Sequence, residues 1–513
     1  MADAKLTKEA CARRVQSVCP VCGEVAYAEY AERGGAVYFD ICCPKCGAAG
    51  VFSELASEDA AAFDRFMAMP SVTVAPRAAL TEGVRRGAAG GAQSACPFHC
   101  GVCGDHLMTA CCVLLDVTER CDQHCPWCFA RADTLGDGSE GEPPLDEIGR
   151  WYDRLIELGE ERPFNIQLSG GEPTVRHDLP EIVELGRAKG FEYIQLNTNG
   201  RRLAGSAEMG AGAGVEAGQG YARRLRSAGV SVVYLQFDGM SDSVYGELRG
   251  EPLLDIKLRA IENCAKAGLP VVLVPTIVKG VNIFESADGA AGEAADGAGE
   301  IGGMIDFMLA NLGAVKGIHF QPASFFGRTP DASGESNRVT MFAVMNEIER
   351  QTGGRLRASD LLPITTGHPL CCFCANFMRE PSGRLASMMS KAQREGGAAC
   401  CDEMASGSEA ACCCPSAPDP LEIVRRDRDF VLNKWSAPNE AAPPPAPADA
   451  AGIMSFDEAL SWFQNNMFTI SGMAFMDRSN LDAERLKRCR VQYFTPDEKL
   501  IPFCAYNTMY RRT

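Results

Sequence analysis

The stretch from 113 to 128 reads Val-Leu-Leu-Asp-Val-Thr-Glu-Arg-Cys-Asp-Gln-His-Cys-Pro-Trp-Cys. Its first five residues form a short apolar run that is typical of a buried strand. Cys121, Cys125 and Cys128 follow with Cys-x3-Cys-x2-Cys spacing, in a loop directly after that strand. Three cysteines so close together favour a metal centre, because a disulfide scaffold would spread its cysteines between strands.

Predicted strands and helices alternate downstream of this loop. Apolar runs predict strands at 164–168, 192–197, 231–237, 270–278 and 318–322. Helical spacing predicts helices at 144–158, 178–189, 221–228, 254–267 and 301–310. With 113–117, the six strands predict an α/β fold, a partial parallel (βα)6 barrel, in which reactive residues lie where strands end.

A Gly-Gly-Glu-Pro turn, Gly170 to Pro173, ends the second predicted strand. Glycines let the backbone approach a ligand closely, and a glutamate accepts hydrogen bonds from an ammonium group. Three thiolates hold three irons of a 4Fe–4S cluster and leave the fourth iron open to chelate S-adenosylmethionine. Placed one βα unit after the cysteine loop, the turn indicates a binding site for that cofactor.

The cysteine loop and the Gly-Gly-Glu-Pro turn resemble the radical S-adenosylmethionine superfamily, as does the aromatic residue directly after the last cysteine. The resemblance implies that Cys121, Cys125 and Cys128 hold the catalytic cluster. It also implies a low-potential electron donor such as ferredoxin or flavodoxin. The residues that it places beside S-adenosylmethionine are Phe129, Gly170, Gly171, Glu172, Asn199 and Asp238. The last two begin Asn-Gly and Asp-Gly pairs, which are also ordinary turns.

Two Cys-Pro-x-Cys-Gly turns lie near the N-terminus. Each is a tight turn whose glycine allows positive φ and lets backbone amides face the sulfurs. Together they predict a rubredoxin-like ribbon with a tetrahedral site for one iron or zinc, and a structural role is favoured over a redox role. The four ligands of this site are Cys19, Cys22, Cys43 and Cys46.

The resemblance extends past the barrel. The segment from 96 to 121 and the stretch from 501 to 507 look like the archaeal tetraether lipid synthases and the related radical pterin methyltransferases. This resemblance implies two auxiliary 4Fe–4S clusters. The first set of ligands is Cys96, Cys100, Cys103 and Cys112; the second is Cys371, Cys374, Cys489 and Cys504.

The second set departs from the family pattern. The family tends to have a cysteine shortly before the His368-Pro369 pair, where this chain has Thr366. Cys372 is therefore an alternative to Cys374, and the two tail cysteines are alternatively plain buried thiols.

These segments predict four regions: a ribbon domain at 1–75, an auxiliary-cluster segment at 90–120, the barrel at 112–330 and a C-terminal auxiliary-cluster region at 331–513. Stretches rich in Ala and Gly predict flexible insertions at 204–220, 287–299 and about 395–455. The last holds five cysteines, interpreted as an unordered loop in preference to a metal site: Cys400, Cys401, Cys412, Cys413 and Cys414.

Composition limits the partners. A net charge of −17 argues against a nucleic-acid partner, which would need a basic face. No apolar run of about 18 residues and no secretory signal is visible, so the 25 cysteines are expected to be thiols in the cytoplasm. A lipid substrate would add a peripheral contact with the inner face of the membrane.

The sequence leaves four functions open. The resemblance first indicates a radical enzyme that joins unactivated carbons of lipid alkyl chains. The alternatives are radical methylation of a pterin-like small molecule, an iron–sulfur electron carrier that no longer cleaves S-adenosylmethionine, and a peptide-modifying radical enzyme. A long apolar cavity above the cysteine loop would favour the lipid substrate, and a small polar one the pterin.

Overall fold

The computed structural model describes residues 15–76, 96–98, 100–101, 105–132, 142–159, 163–205, 215–284, 299–330, 338–388, 422, 425 and 462–511. Several predictions from the sequence fall outside these residues. They are Cys103, the five cysteines between 400 and 414, and most of the insertions predicted at 204–220, 287–299 and 395–455.

The N-terminal ribbon is a four-stranded antiparallel sheet in chain order. Its strands are β1 (Val15–Val18), β2 (Val25–Arg33), β3 (Ala36–Cys42) and β4 (Val51–Ser57). Helix α1 (Ala60–Met67) follows, and Asp59 caps it by accepting a hydrogen bond from the amide of Ala62. The ring of Phe66 packs edge-on against Phe342, with centroids 5.1 Å apart. This contact joins the ribbon and its helix to the rest of the chain.

The predicted partial barrel is confirmed. Its parallel strands, in spatial order, are β5 (Cys112–Thr118), β6 (Asn165–Gly170), β7 (Ile194–Thr198), β8 (Val232–Gln236), β9 (Val271–Val274) and β11 (Val315–Pro322), with the short β10 (Thr276–Ile277) beside β11. The helices are α2 (Leu145–Leu158), α3 (Leu179–Ala188), α4 (Val215–Ala228), α5 (Asp242–Arg249), α6 (Leu254–Lys266), α7 (Glu300–Ala310) and α8 (Met341–Gln351). Alternate strand residues such as Leu196 and Leu235 form the main core on the outer face of this sheet.

The C-terminal region extends the barrel sheet at both edges. It contributes β12 (Cys372–Arg379), β13 (Leu385–Ser387), β14 (Met467–Met473), helix α9 (Ala483–Lys487), β15 (Val491–Phe494) and β16 (Leu500–Pro502). Strand β14 pairs in parallel with β11, and β15 pairs in parallel with β5. The last part of the chain therefore flanks the six-stranded barrel on either side.

Two helices differ from the prediction. Helix α4 begins at Val215, inside the segment predicted as a flexible insertion. A Cβ at Gly218 would lie 2.5 Å from the carbonyl of Leu203, so this glycine serves close packing of a helix and is not a loop residue. Helix α5 was not predicted, because it is only eight residues long and just three of them, Val244, Tyr245 and Leu248, are apolar.

Candidate radical cluster site

The cysteine loop lies at the carboxyl ends of the barrel strands, as predicted. Cys121 and Cys125 are buried and Cys128 is partly exposed. Burial raises the pKa of the Cys121 and Cys125 thiols. A buried thiolate needs a compensating positive charge, and an iron of a cluster supplies it.

Gly327 and Arg328, which follow the last barrel strand, pack against the cysteine loop and bind it by hydrogen bonds. The backbones of Cys128 and Arg328 exchange hydrogen bonds of 2.9 and 2.8 Å. The Arg328 side chain also donates to the carbonyl of Cys125 at 3.0 Å and to that of Ala132 at 2.8 Å. A Cβ at Gly327 would lie 2.3 Å from the Cys128 carbonyl, so only glycine fits beside the loop.

Asp238 supports the loop through a buried arginine. Arg249, the last residue of α5, donates to both carboxylate oxygens of Asp238, at 2.8 and 2.6 Å. It also donates to the carbonyl of Trp127 at 2.8 Å, between two of the cysteines. Asp238 is fully buried and also accepts from the amide of Thr276. In this structure its carboxylate positions Arg249, and its contact with the cofactor stays a prediction.

The two glycines of the Gly-Gly-Glu-Pro turn lie against protein backbone. Cβ atoms at Gly170 and Gly171 would lie 2.0 Å from the carbonyl of Thr118 and 2.2 Å from that of Arg120, respectively. The amide of Gly171 donates to the Thr118 carbonyl at 2.8 Å. Close approach is required, as predicted, but the partner seen here is the segment that leads into Cys121.

The carboxylate of Glu172 is enclosed by donors. Its Oε1 accepts from Thr198 at 2.7 Å and from the amide and hydroxyl of Thr174. Its Oε2 accepts from the amide of Asn199 at 2.6 Å. Burial, followed by the charge of Asp122, raises the pKa of Glu172 to about 7. An ammonium group beside Oε2 would offset both effects.

Asn199 joins the turn to the cysteine loop. Its side-chain amide donates to Asp122 Oδ1 at 2.6 Å, and its carbonyl accepts from Lys257 Nζ at 2.6 Å. Phe129 keeps 39% of its surface exposed and packs against Phe503, with centroids 5.9 Å apart. Both residues border the loop, while their predicted contact with the cofactor stays a prediction.

Gly171→Ala is expected to displace the cysteine loop, because the new Cβ would overlap the Arg120 carbonyl. We expect the free energy of unfolding to fall by about 1–3 kcal/mol, as is typical of an overpacked site. After reconstitution, the iron content per protein molecule should be less than about three-quarters of the wild-type value. Gly220→Ala is the matched control, since it lies in α4 with open space around it. Urea unfolding and iron content measure both variants. Full iron content in Gly171→Ala would contradict this packing.

The four ribbon cysteines meet at one point. The sulfurs of Cys19 and Cys46 lie 3.7 Å apart, as do those of Cys22 and Cys43. A tetrahedral ion with metal–sulfur bonds of about 2.3 Å requires sulfurs about 3.8 Å apart. All four ligand atoms lie within 4.8 Å of one another, so the geometry fits a single iron or zinc ion.

The first auxiliary set is only partly brought together. Cys96 and Cys100 share a side-chain hydrogen bond, which lowers the pKa of Cys96. Cys112, by contrast, lies against Cys111, and this contact and burial raise its pKa. The Cys111 amide donates to the carbonyl of Arg490 at 2.9 Å. The described contacts therefore join Cys112 to Cys111 and not to Cys96.

Three members of the second auxiliary set surround one arginine. Arg485 hydrogen-bonds Cys371, whose charge also raises the pKa of Cys489 and Cys504. Burial is the largest cause of the raised pKa of both tail thiols. The sulfur of Cys489 also donates to the Val491 carbonyl at 3.0 Å, and that of Cys504 accepts from the Met476 amide at 3.2 Å. The role of these three thiols as cluster ligands stays a prediction.

Cys374 points to the face of β12 that lies opposite the main core. It alternates along β12 with Phe373 and Ala375, which belong to the main core. In the sheet it pairs with Ser471, which in turn pairs with His319. Cys374 therefore faces the concave side of the barrel sheet, and its place in the second auxiliary set stays a prediction.

Polar and aromatic side chains line this concave side, here called the inner face. Because the core residues point outward and side chains alternate along a strand, their neighbours point inward. The polar and aromatic residues of the inner face are Asp116, Gln167, Ser169, Gln195, Asn197, Tyr234, Gln236, His319 and Gln321. The same face also carries a small apolar cluster, in which Val232, Val272 and Val274 pack beside Tyr234. Gln195 donates to Asn197 at 2.7 Å, and the rings of Tyr234 and His319 lie 5.9 Å apart.

Sequence reasoning did not assign roles to several residues of this site. Arg249 and Arg328 hold the loop, and Lys257 is fully buried beside Asn199. Burial lowers the pKa of Lys257 to about 8. The sequence shows that basic residues lie after strand ends and in the helices that follow. It does not show which of these residues point toward the cysteines, because that depends on the fold.

Among the described residues, none of the helices is both long and apolar enough to cross a membrane.

Comparisons with known proteins identify family models, relatives and a solved structure to which this chain is similar. The radical SAM superfamily matches residues 115–287, and the HMPTM N-terminal zinc ribbon domain matches residues 11–53. The GTP 3',8-cyclase of Tolumonas auensis is 33% identical over 173 residues, which cover 33% of this chain and 46% of the cyclase. A radical SAM methyltransferase from Sphaerobacter thermophilus superposes with a TM-score of 0.30 at 13% identity, over 65% of this chain and 75% of that one.

One relative spans nearly the whole chain. The 7,8-dihydro-6-hydroxymethylpterin dimethyltransferase of Methanocaldococcus jannaschii is 31% identical over 526 positions, covering 98% of this chain and 94% of that protein. The chain therefore belongs to the radical SAM superfamily, in the family of this methanogen protein.

Proposed function

We propose that this radical SAM enzyme transfers methyl groups to a pterin-like nitrogen heterocycle, with one molecule of S-adenosylmethionine supplying the radical and a separate methyl donor, such as a second molecule of S-adenosylmethionine, supplying the carbon. The polar inner face of the barrel carries the proposal. Amides and hydroxyls there match the donors and acceptors on the edge of such a ring, and the Tyr234–His319 pair offers aromatic surface to its face. The name of the methanogen relative supports the same substrate class.

The inner face also argues against the lipid coupling that the resemblance first indicated. An alkyl chain lying there would displace water from the partly exposed amides of Asn197 and Gln236 without offering them a hydrogen bond in its place. Removing water from a polar group costs about 1–3 kcal/mol where no new partner replaces the water, which disfavours an alkyl chain at these two positions. The pterin alternative thus replaces the lipid reading, and with it the proposed contact with the membrane.

The fit of the cysteine loop supports the cofactor assignment. Cys121, Cys125 and Cys128 would hold a 4Fe–4S cluster, which would supply the electron for reductive cleavage of S-adenosylmethionine. Glu172 would accept from the amino group of the methionine part, while Asn199 joins the turn to the loop through its hydrogen bonds with Glu172 and Asp122. Phe129, Gly170 and Gly171 border this end of the cofactor.

The remaining cysteines are assigned to electron transfer and structure. We propose auxiliary clusters on the Cys96 and Cys371 groups, with a ferredoxin or flavodoxin as the external donor. Cys371, Cys489 and Cys504 contribute three ligands of the second cluster. The metal of the ribbon, iron or zinc, stabilises the fold of the N-terminal domain.

Incubation with each candidate substrate distinguishes methylation of a pterin from coupling of lipid chains. Reduced, reconstituted protein is incubated with S-adenosylmethionine and either 6-hydroxymethyl-7,8-dihydropterin or phospholipid vesicles, and products are identified by mass spectrometry. A methylated pterin together with 5'-deoxyadenosine is the expected result. Coupled alkyl chains with an unmodified pterin would contradict the proposal and restore the lipid reading.

A further inference from the structure

Asp116 is a buried carboxylate with one unpaired oxygen on the inner face. It alternates along β5 with Leu115 and Val117, which point into the outer core, and it pairs with Ser169 on β6. Only 19% of its side chain is exposed. Its Oδ2 accepts from Arg511 at 2.9 Å, whereas no donor among the described residues reaches the buried Oδ1.

The surroundings of Arg511 orient its guanidinium so that it donates to Oδ2 of Asp116 and not to Oδ1. Its guanidinium lies 5.2 Å from the ring centroid of Tyr493 and 5.0 Å from that of Tyr506. Its Nε donates to Asn507 at 2.9 Å. These contacts fix the plane of the guanidinium, so covering Oδ1 as well would require breaking them.

The electrostatics of Asp116 show that its charge is incompletely compensated. Burial raises the pKa of this carboxyl, and the opposing effect of Arg511 does not cancel it. A carboxylate has about four acceptor positions, so Oδ1 and the second lone pair of Oδ2 can take two further N–H donors. Two parallel N–H donors are what an amidine-like ring edge presents.

We propose that Asp116 recognises the amino-pyrimidine edge of the heterocycle, by accepting from its exocyclic amino group and the adjacent ring N–H. This inference rests on the proposed function and adds the residue that selects the ring. Asp116 lies two residues before the end of β5, and the cysteine loop follows that end. A ring held by this edge would lie under the loop and across the inner face, toward Asn197 and Tyr234.

Two ligands that differ at one group test the contact. The probes are 6-hydroxymethylpterin and 6-hydroxymethyllumazine, which carries an oxo group in place of the exocyclic amine. Quenching of their fluorescence gives the Kd for the as-isolated protein, so no turnover is needed. The wild type is expected to prefer the pterin by about tenfold or more, because the lumazine leaves the carboxylate facing an oxygen.

Two variants then separate recognition from anchoring of the tail. Asp116→Asn keeps the shape of the side chain and is expected to reduce the preference to within about threefold. Arg511→Gln removes the anchor and is expected to keep the preference. A preference that survives in Asp116→Asn, or vanishes only in Arg511→Gln, would overturn the inference.

The wild type alone also tests the inference, whether or not a variant folds. Equal binding of the two ligands would overturn the role of Asp116 and leave the proposed function standing. Binding of neither ligand would overturn the proposed function itself, and the role of Asp116 with it.

Discussion

Cys125→Ala is expected to abolish 5'-deoxyadenosine formation, a loss of about a thousandfold or more, equivalent to ~4 kcal/mol in the barrier. Cys125 is buried in the middle of the loop, and an alanine there offers no ligand for the third iron of the radical cluster. The measurements are 5'-deoxyadenosine by chromatography, and iron and zinc by elemental analysis. The ribbon metal should stay bound, since its four ligands belong to a separate domain.

Cys264→Ala is the matched control for this variant. Cys264 is as deeply buried as Cys125 but lies in α6, and none of the proposed ligand groups includes it. We expect the control to cleave S-adenosylmethionine within about twofold of the wild type, because it loses only a small buried side chain. Cleavage retained by Cys125→Ala would refute the assignment of the radical cluster to this loop.

Arg249→Met is expected to lower the free energy of unfolding by about 3–5 kcal/mol, because it leaves the buried charge of Asp238 without its ion-pair partner. Both partners are almost inaccessible, with side-chain exposures of 6% and 0%. The variant also loses the hydrogen bond to the Trp127 carbonyl, so cluster occupancy should fall as well. Urea unfolding and iron content are the measurements.

A double variant distinguishes the two roles of Arg249. Adding Asp238→Leu removes the uncompensated charge and should restore part of the stability, while iron content should stay low because Trp127 remains unsupported. Arg259→Met is the control for losing an ion pair, since Arg259 and Asp255 form an exposed pair on α6. Full iron content in Arg249→Met would show that the arginine stabilises the fold without holding the loop.

The barrel was predictable because its signals are local. Each strand is an apolar run long enough to be recognised, and each chemical motif directly follows one, as the Cys121 loop follows β5 and Gly170 ends β6. The ribbon was predictable for the same reason, since two repeated turns carry its four ligands.

Pairings across the fold were not predictable. Asp238 has its partner eleven residues away at the end of a short helix, and nothing in the sequence marks Arg249 as that partner. The side toward which Cys374 points depends on the register of β12 against β14, which no local pattern determines. Asp116 reads as an ordinary strand residue until its unpaired oxygen is seen.

The flanking strands have a consequence for biosynthesis. Both edges of the barrel sheet are paired by strands from 467–473 and 491–494, so these edges stay open until nearly the whole chain has left the ribosome. Open edges invite pairing with other chains, and such distant contacts form slowly. Cys489 and Cys504 emerge last as well. Iron–sulfur assembly factors would therefore meet a chain whose barrel edges are still unpaired, before the ligands of the proposed second auxiliary cluster come together.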